Sequence, residues 1–442
     1  MKKGFTLIEL LAVILILGII ALIAIPTVNN VLEESKQGAL KSTIHNLEKS
    51  VISKCQLQQL NNKPIDEKYT ITNGVISPTL EIKGKFPNNG MIEVNSYCEV
   101  KIYAHDGKYC ANKTSEQVII DDKVSEICIP IPTDEKWFTF EDGVIKNYSH
   151  KGPKNVIIPD KINGEKVETI ASYAFSGKKI ENVILPKFLY KIDSRAFRDN
   201  LLTNIEYPDS LRLIGNGSFN NNLFSDKNAF IYALNSDGTE DKTRIVSYAG
   251  ENKNNVIIPE GVIKIHNASF QYCNIKKIKL PDSLQCIEGW SFFSNLLTEL
   301  EIPTSVNKLE DSAFNANLLS DEDAFIYARN ADGTEDKTTL VGYGGAKKEN
   351  VVIPDNVINI SYGTFRSCAL KSITIPSSVN EIHRYAFHNN FIKNISIPAS
   401  VNKIELGAFN DNDDNININL EGRTSNPFGT TWYNDNASIT FN

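Results

Sequence analysis

The sequence predicts a long amino-terminal helix backed by a small antiparallel sheet over residues 5–130, then a β-solenoid of nine turns with three hairpin inserts over residues 137–442. Three observations carry this expectation. An apolar run from Phe5 to Ile25 passes, beyond Pro26, into helically spaced apolar residues as far as Cys55. Residues 64–130 alternate like strands around the turn dipeptides Asn73-Gly74 and Asp106-Gly107. Phe175, Phe197, Phe219, Phe270, Phe292, Phe314, Phe365, Phe387 and Phe409 recur in steps of 22, 22 and 51 residues, so the whole set repeats every 95.

The first segment, "KKGFTLIELLAVILILGIIALIAIP", holds one carboxylate, Glu9, inside its apolar run. An ionised acid at mid-membrane costs roughly 2.5 to 3.5 kcal/mol, so the side chain needs a reason to be there. Lys2 and Lys3 keep Met1 in the cytoplasm by the positive-inside tendency, which makes everything after the run extracytoplasmic. Leu10 to Ile25, extended by the apolar residues around Glu9 to about 20, is long enough to span a membrane. As a secretory signal peptide the segment lacks a clean small-x-small cleavage site. Neither a signal peptide nor a plain anchor explains Glu9. The segment closely resembles the amino terminus of type IV prepilins and pseudopilins, with Gly18 and Pro26 where that family often softens the helix. The resemblance implies a leader of residues 1–4, cleavage between Gly4 and Phe5 by a prepilin peptidase, and methylation of Phe5. It also implies that Glu9 pairs with the amino group of Phe5 on a neighbouring pilin subunit, so that its charge is neutralised on assembly.

Beyond Pro26, Val28, Val31, Leu32, Leu40, Ile44, Leu47, Val51 and Cys55 keep three-and-four spacing. A helix from Phe5 to about Leu60 would reach roughly 84 Å at 1.5 Å per residue. Its outer half is expected to pack on the strands of residues 61–130, an arrangement that also resembles pilins. Cys55, Cys98, Cys110 and Cys128 fall in this extracytoplasmic part, where disulfides are permitted and three pairings are open. The favoured pair is Cys98 with Cys110, which bracket a candidate hairpin; free thiols are the alternative.

"ICIPIPTDEKW" breaks the strand pattern with two prolines and a charged stretch, which places a linker at residues 131–136. Repeats follow, as in "KLPDSLQCIEGWSFFSNLL" and "TIPSSVNEIHRYAFHNNFI", grouped as modules 137–228, 229–323 and 324–415 with a cap at 416–442. The 22-residue period lies in the leucine-rich-repeat range. Three residues after each phenylalanine stand Lys178, Asn200, Asn222, Cys273, Asn295, Asn317, Cys368, Asn390 and Asn412, small polar residues for the most part, which can bond the backbone where each coil turns. With its "IP..V..I....AF" spacing, the region resembles the BspA-like leucine-rich-repeat family of bacterial surface proteins. The resemblance implies adhesion or binding and no chemistry.

The 51-residue steps read as one turn plus a 29-residue insert. "AFIYALNSDGTEDKTRIVSYAG", "AFIYARNADGTEDKTTLVGYGG" and the shorter "WFTFEDGVIKNYSHKG" read as hairpins, with Tyr148, Tyr248 and Tyr343 in corresponding places. "DGTEDKT" falls short of a calcium loop and reads as a polar turn. Cys273 and Cys368 share the asparagine column and read as structural; Cys286 is a surface thiol without a role. The six histidines form no HExxH, and neither a nucleophile elbow nor a phosphate loop occurs. No enzyme, metal or cofactor is expected. Net charge is −7, and no Lys/Arg stripe dominates any segment, which argues against nucleic acid as a partner.

Period two within each repeat points Val183/Leu185, Ile278/Leu280 and Ile373/Ile375 inward and Asn182/Ile184, Lys277/Lys279 and Ser372/Thr374 outward, with Glu299 and Glu301 close by. That mixed polar face suits protein or glycan contact, although a merely solvated face would carry similar residues. Nine coils at about 4.8 Å make a sheet roughly 43 Å long, bulky for every subunit of a tight filament. The expectation is a minor or tip pilin, membrane-inserted before assembly and then displayed on the pilus or cell surface. A membrane-anchored receptor that never assembles, and a pseudopilin of a secretion or DNA-uptake machine, are the alternatives.

Overall fold

The computed structural model describes residues 7–63, 68–72, 75–77, 87, 89–95, 97–106, 109–113, 118–121 and 132–442, with side chains omitted for 7–30, 68, 72, 89, 119 and 121. The chain divides into two compact units, Met1–Ile131 and Pro132–Asn442.

In the first unit, helix α1 (Leu7–Leu60) ends where Asn62 takes a left-handed conformation at φ 51°. There the Lys63 N–H donates to the Gln58 carbonyl at 2.9 Å and the Asn62 N–H to Gln59 at 3.1 Å, a Schellman closure. Leu40, Ile44, Leu47, Val51 and Cys55 form one buried stripe. Val31 and Leu32, on the same predicted periodicity, are exposed instead. The strands are β1 (Lys68–Thr72), β2 (Val75–Ser77), β3 (Asn89–Val94), β4 (Val100–His105), β5 (Cys110–Lys113) and β6 (Val118–Asp121). They form one antiparallel sheet in the order β2-β1-β3-β4-β5-β6, and α1 packs on β4, β5 and β6. Lys113, buried, pairs with Glu48 of the helix at 3.1 Å, and Glu48 also meets His45 at 3.2 Å.

The expected Cys98–Cys110 pairing is overturned. Cys98 is bonded to Cys55, with 5.7 Å between their Cα atoms. Cys98 lies in the β3–β4 turn and Cys110 opens β5, so the two sit at opposite ends of β4, where Cys110 faces His105. Cys55, four residues beyond Val51 on the buried stripe, is delivered to the turn by the helix. Cys110 is itself disulfide-bonded, and Cys128 lies outside the described residues.

The second unit is a leucine-rich-repeat β-solenoid. Ring stations are filled by the nine predicted phenylalanines, each wholly buried, and consecutive rings stack as in Phe292–Phe314, 4.9 Å apart and 3° from parallel. The expected count of nine turns is too low. Tyr148, Tyr248 and Tyr343 occupy stations of their own: the first two stack on Phe175 and Phe270 at 5.0 and 5.3 Å, Tyr343 meets Phe365 at a tilt of 38° and 5.4 Å, and Trp432 meets Phe409 at 5.7 Å. The inserts are therefore coils. The second strand of one hairpin, Glu240–Tyr248, runs parallel to the coils that follow, with Ile245 paired to Ile265 and Ile265 to Ile287. Tyrosine suits these stations because the chain turns differently there: Tyr248 Oη donates to the Asn252 carbonyl at 2.7 Å and Tyr343 Oη to Lys347 at 2.8 Å. The segment expected to cap the stack continues it, as Asn394–Ile397, Asn417–Leu420 and Ser438–Phe441 pair in parallel.

Between stations the buried asparagines tie coil to coil. Asn295 Nδ2 donates to the carbonyls of Phe270 (2.8 Å) and Phe292 (3.0 Å), while its Oδ1 accepts the Ile275 N–H at 3.0 Å. Asn200, Asn222, Asn317, Asn390 and Asn412 repeat the pattern. Two residues before each phenylalanine the backbone bulges with φ near 60°. Gly217, Gly363 and Gly407 occupy this column, but so do Tyr173, Arg195, Trp290 and Tyr385. A side chain held there costs roughly 1 to 2 kcal/mol relative to ordinary backbone.

Candidate functional site

The outward face of the solenoid strands follows the period-two reading. Leu185, Leu280, Ile373 and Ile375 are buried and Asn182, Ile184, Lys277, Lys279 and Thr374 exposed, while Val183, Ile278 and Ser372 are half-buried. In-register parallel pairing sets the outward residues of successive coils side by side. Along the stack the chemistry changes. Asn182 Nδ2 donates to Asn155 Oδ1 at 2.7 Å, and Ile184, Ile257 and Val352 project from the same face. In the middle coils Lys277 pairs with Glu299 at 2.9 Å, which neutralises two of the predicted charges against each other.

On this strand face the last coils are almost free of charge. Thr374, Asn394, Ser396, Asn417, Asn419 and Thr440 line a hollow of about 500 Å³, with Glu421 at its rim. Here the amides order one another: Asn417 Nδ2 donates to Asn394 Oδ1 at 3.1 Å, Asn419 Nδ2 to Asn442 Oδ1 at 3.0 Å, and Thr440 Oγ1 to Asn419 Oδ1 at 3.4 Å. Each amide keeps further donor or acceptor capacity, so the surface offers both to a ligand without charge. No signal in the linear sequence marks this segregation; it emerges when outward positions are read coil by coil.

The remaining candidates fall elsewhere. Gly4 and Phe5 lie outside the described residues; Glu9 lies in α1, and its side chain is likewise not described. Among the described residues no helix is long and apolar enough to cross a membrane, and no group of three metal-ligating side chains occurs. Cys273 and Cys368 are buried, with thiols pushed up by burial to about 11 and about 12, values that disfavour the nucleophilic thiolate. They take the asparagine role weakly, Cys273 Sγ lying 3.7 Å from the Tyr248 carbonyl and Cys368 Sγ 3.3 Å from that of Tyr343. Burial also raises the half-buried Cys286 thiol. In the "DGTEDKT" turns, Asp237 accepts from the Thr239 N–H and hydroxyl, and Asp332 does the same with Thr334. Those hydrogen bonds hold both carboxyls below the usual carboxylate range. The carboxylates are thus committed to shaping the turn.

The sequence matches the family described as the BspA type leucine-rich repeat region over residues 145–235, 243–323 and 343–440. Residues 1–25 match the prokaryotic N-terminal methylation motif. No curated protein matches. Among solved structures, the chain is similar to a leucine-rich cell surface protein from Faecalibacterium prausnitzii, at 20% identity over 77% of this chain and 94% of that one, with a TM-score of 0.35. It is similar to a leucine-rich-repeat protein from Eubacterium ventriosum at 20% identity, covering 59% of this chain and 76% of that one, with a TM-score of 0.35. It is also similar to the pneumococcal vaccine antigen PcpA at 15% identity, covering 84% and 85%, with a TM-score of 0.31.

Proposed function

The chain belongs to the BspA-type leucine-rich-repeat proteins, and from that premise we propose that it is a membrane-inserted, type IV pilin-like surface subunit whose repeat domain binds a protein or glycan and serves adhesion. One observation carries the proposal: the methylation motif at residues 1–25 runs into a helix that is continuous from Leu7 to Leu60. On this reading the apolar residues 10–25 enter the membrane, and the rest of the helix is a rod for packing among pilin subunits. The six-stranded sheet on the outer half of that helix supports reading the first unit as a pilin-like domain. A stack longer than nine coils strengthens the case for a minor or tip position, since its bulk would crowd a filament built from it alone. Prepilin peptidase and other pilin subunits are the assembly partners of this reading. The repeat unit, with its outward strand face, is the binding part.

The test is the mature amino terminus. Mass spectrometry is expected to find methylated Phe5 at the start of the chain, and Glu9→Ala is expected to leave that processing intact while removing the subunit from filaments. An intact Met1, or a cut after Ala24, would remove the pilin reading and leave an anchored or secreted repeat protein. A processed Glu9→Ala variant with normal filament content would remove the assembly role of the carboxylate.

A further inference from the structure

The bulges beside the ring column raise a separate question. Of the nine left-handed positions, glycine stands at three and the small residues Ala268 and Ser312 at two, so the fold itself asks for nothing larger. Tyr173, Arg195, Trp290 and Tyr385 nevertheless hold φ between 58° and 62°. Backbone strain kept at named side chains, where glycine serves equally well, points to a use for those side chains. Gly407 even makes room for one of them, since a Cβ there would lie 2.5 Å from the Tyr385 ring.

These side chains and their neighbours form a ladder on the bulge side, and none of it lines the strand-face hollow. The Arg198 guanidinium lies 4.5 Å from the Tyr272 ring, Tyr272 meets Phe293 at 5.6 Å, and Phe293 meets Trp290 at 4.7 Å. Arg366 sits 5.1 Å from Trp290 and 5.4 Å from Tyr385, and Arg384 sits 4.7 Å from Tyr385. Among the described residues neither Arg366 nor Arg384 has an ion-pair partner; aromatic rings hold them instead, with Arg384 Nη2 donating to Tyr385 Oη at 2.9 Å. Glu405 accepts from the Arg384 backbone N–H at 2.9 Å without pairing with its guanidinium, and a guanidinium fixed on a ring in this way is preorganised for a carboxylate. Beside Trp290 a hollow of about 430 Å³ is lined by Glu310, Asp311, Tyr362, Asn267 and Lys308.

We propose that this ladder is a protein-docking surface. Its occupant is a protein that presents carboxylates to Arg366 and Arg384. Tryptophan, tyrosine and arginine are the residues that dominate binding energy at protein interfaces. Lys308 pairs with Glu310 at 3.0 Å, so the hollow adds little net charge, and two arginines set among rings suit discrete carboxylates better than a polyanionic glycan, which needs a run of cations. The inference rests on the reading that the repeat domain binds partners, and names the surface and the class of partner.

A random peptide library displayed on phage, selected against the purified full chain, tests it. Enriched peptides are expected to carry Asp or Glu beside apolar residues and to lose at least thirtyfold in affinity on Arg366→Gln and on Arg384→Gln. They are expected to be unaffected by Asn419→Ala on the strand face. Glutamine is already accommodated at the Arg366 station, because Gln271 is its counterpart 95 residues earlier. Hydrogen exchange of the Phe365 coil in each variant, unchanged from the parent, shows that the coil is still folded. Peptides that bind the Arg366→Gln chain equally well, or that depend on Asn419, overturn the proposal. So does heparin binding that depends on Arg366 in the absence of such peptides. Processing at Phe5 is measured independently, so a processed, filament-borne chain without ladder-directed binders would remove this inference and leave the pilin reading standing.

Discussion

Asn295→Ala tests what holds the coils together. The side chain makes three hydrogen bonds, but their loss is unequal. The Phe292 carbonyl also accepts from Asn317 Nδ2 at 3.0 Å and so keeps a donor. The Phe270 carbonyl and the Ile275 N–H lose theirs. A buried polar group left unpaired costs about 1 to 3 kcal/mol, so two of them give about 4 kcal/mol. Coils interact mainly with their neighbours, so the damage should stay local. Hydrogen exchange of the full chain, followed by peptide, reads this directly. At about 1.4 kcal/mol per decade, exchange across residues 270–297 should accelerate by roughly three orders of magnitude, with little change near Trp432. Asn295→Cys should fall between, since Cys273 shows that a thiol can stand in this column. Acceleration of less than about tenfold would refute the hydrogen-bond account. Equal acceleration along the whole stack would refute the nearest-neighbour account.

Three further outcomes follow from the same geometry. Cys273→Asn and Cys368→Asn should fold with little loss by thermal unfolding, because an amide there reaches the Tyr248 or Tyr343 carbonyl that the thiol already faces. Opening Cys55–Cys98, which closes a sequence separation of 43 residues, should cost the first unit about 2 to 4 kcal/mol; exchange across Leu40–Cys55 under reducing conditions measures it. Burial, with Glu310 adding to it, pushes Asp311 up to about 7. Because the folded value lies above the unfolded one, its contribution is full below about pH 4 and is lost as pH rises through 7. Asp311→Asn should therefore gain stability over the parent near pH 8 and little near pH 4, and coincident pH profiles would refute this.

The solenoid was legible in the sequence because each phenylalanine and asparagine meets the same neighbours every 22 residues, so packing writes itself as period. The insert coils escaped that reading because their spacing is 29 residues and their ring is a tyrosine. The signal was the matched placement of Tyr148, Tyr248 and Tyr343. The disulfide could not be chosen from separations along the chain; the useful clue was that Cys55 continues the stripe of Ile44, Leu47 and Val51. The outward strand face could be named by alternation, but the order among Asn394, Asn417 and Asn419 depends on contacts between coils. The bulge ladder left no periodic trace at all, because Trp290 has Arg195 and Tyr385 as its counterparts.

The joint between modules is made twice in the same way. Asn220 Nδ2 donates to the Ala268 carbonyl at 2.9 Å, and Asn315 Nδ2 donates to the Gly363 carbonyl at 2.9 Å, 95 residues further on. Removing residues 268–362 would set Asn220 against Gly363 and leave every ring, rung and hydrogen-bond register matched to a native counterpart. Duplication of the same stretch would add four coils, about 19 Å at 4.8 Å each, without a new kind of contact. A gene encoding such a joint can change the length of its product by recombination between its own repeats. The length of the repeat unit is then a quantity that can change in whole steps of four coils, while residues 1–131 are left untouched.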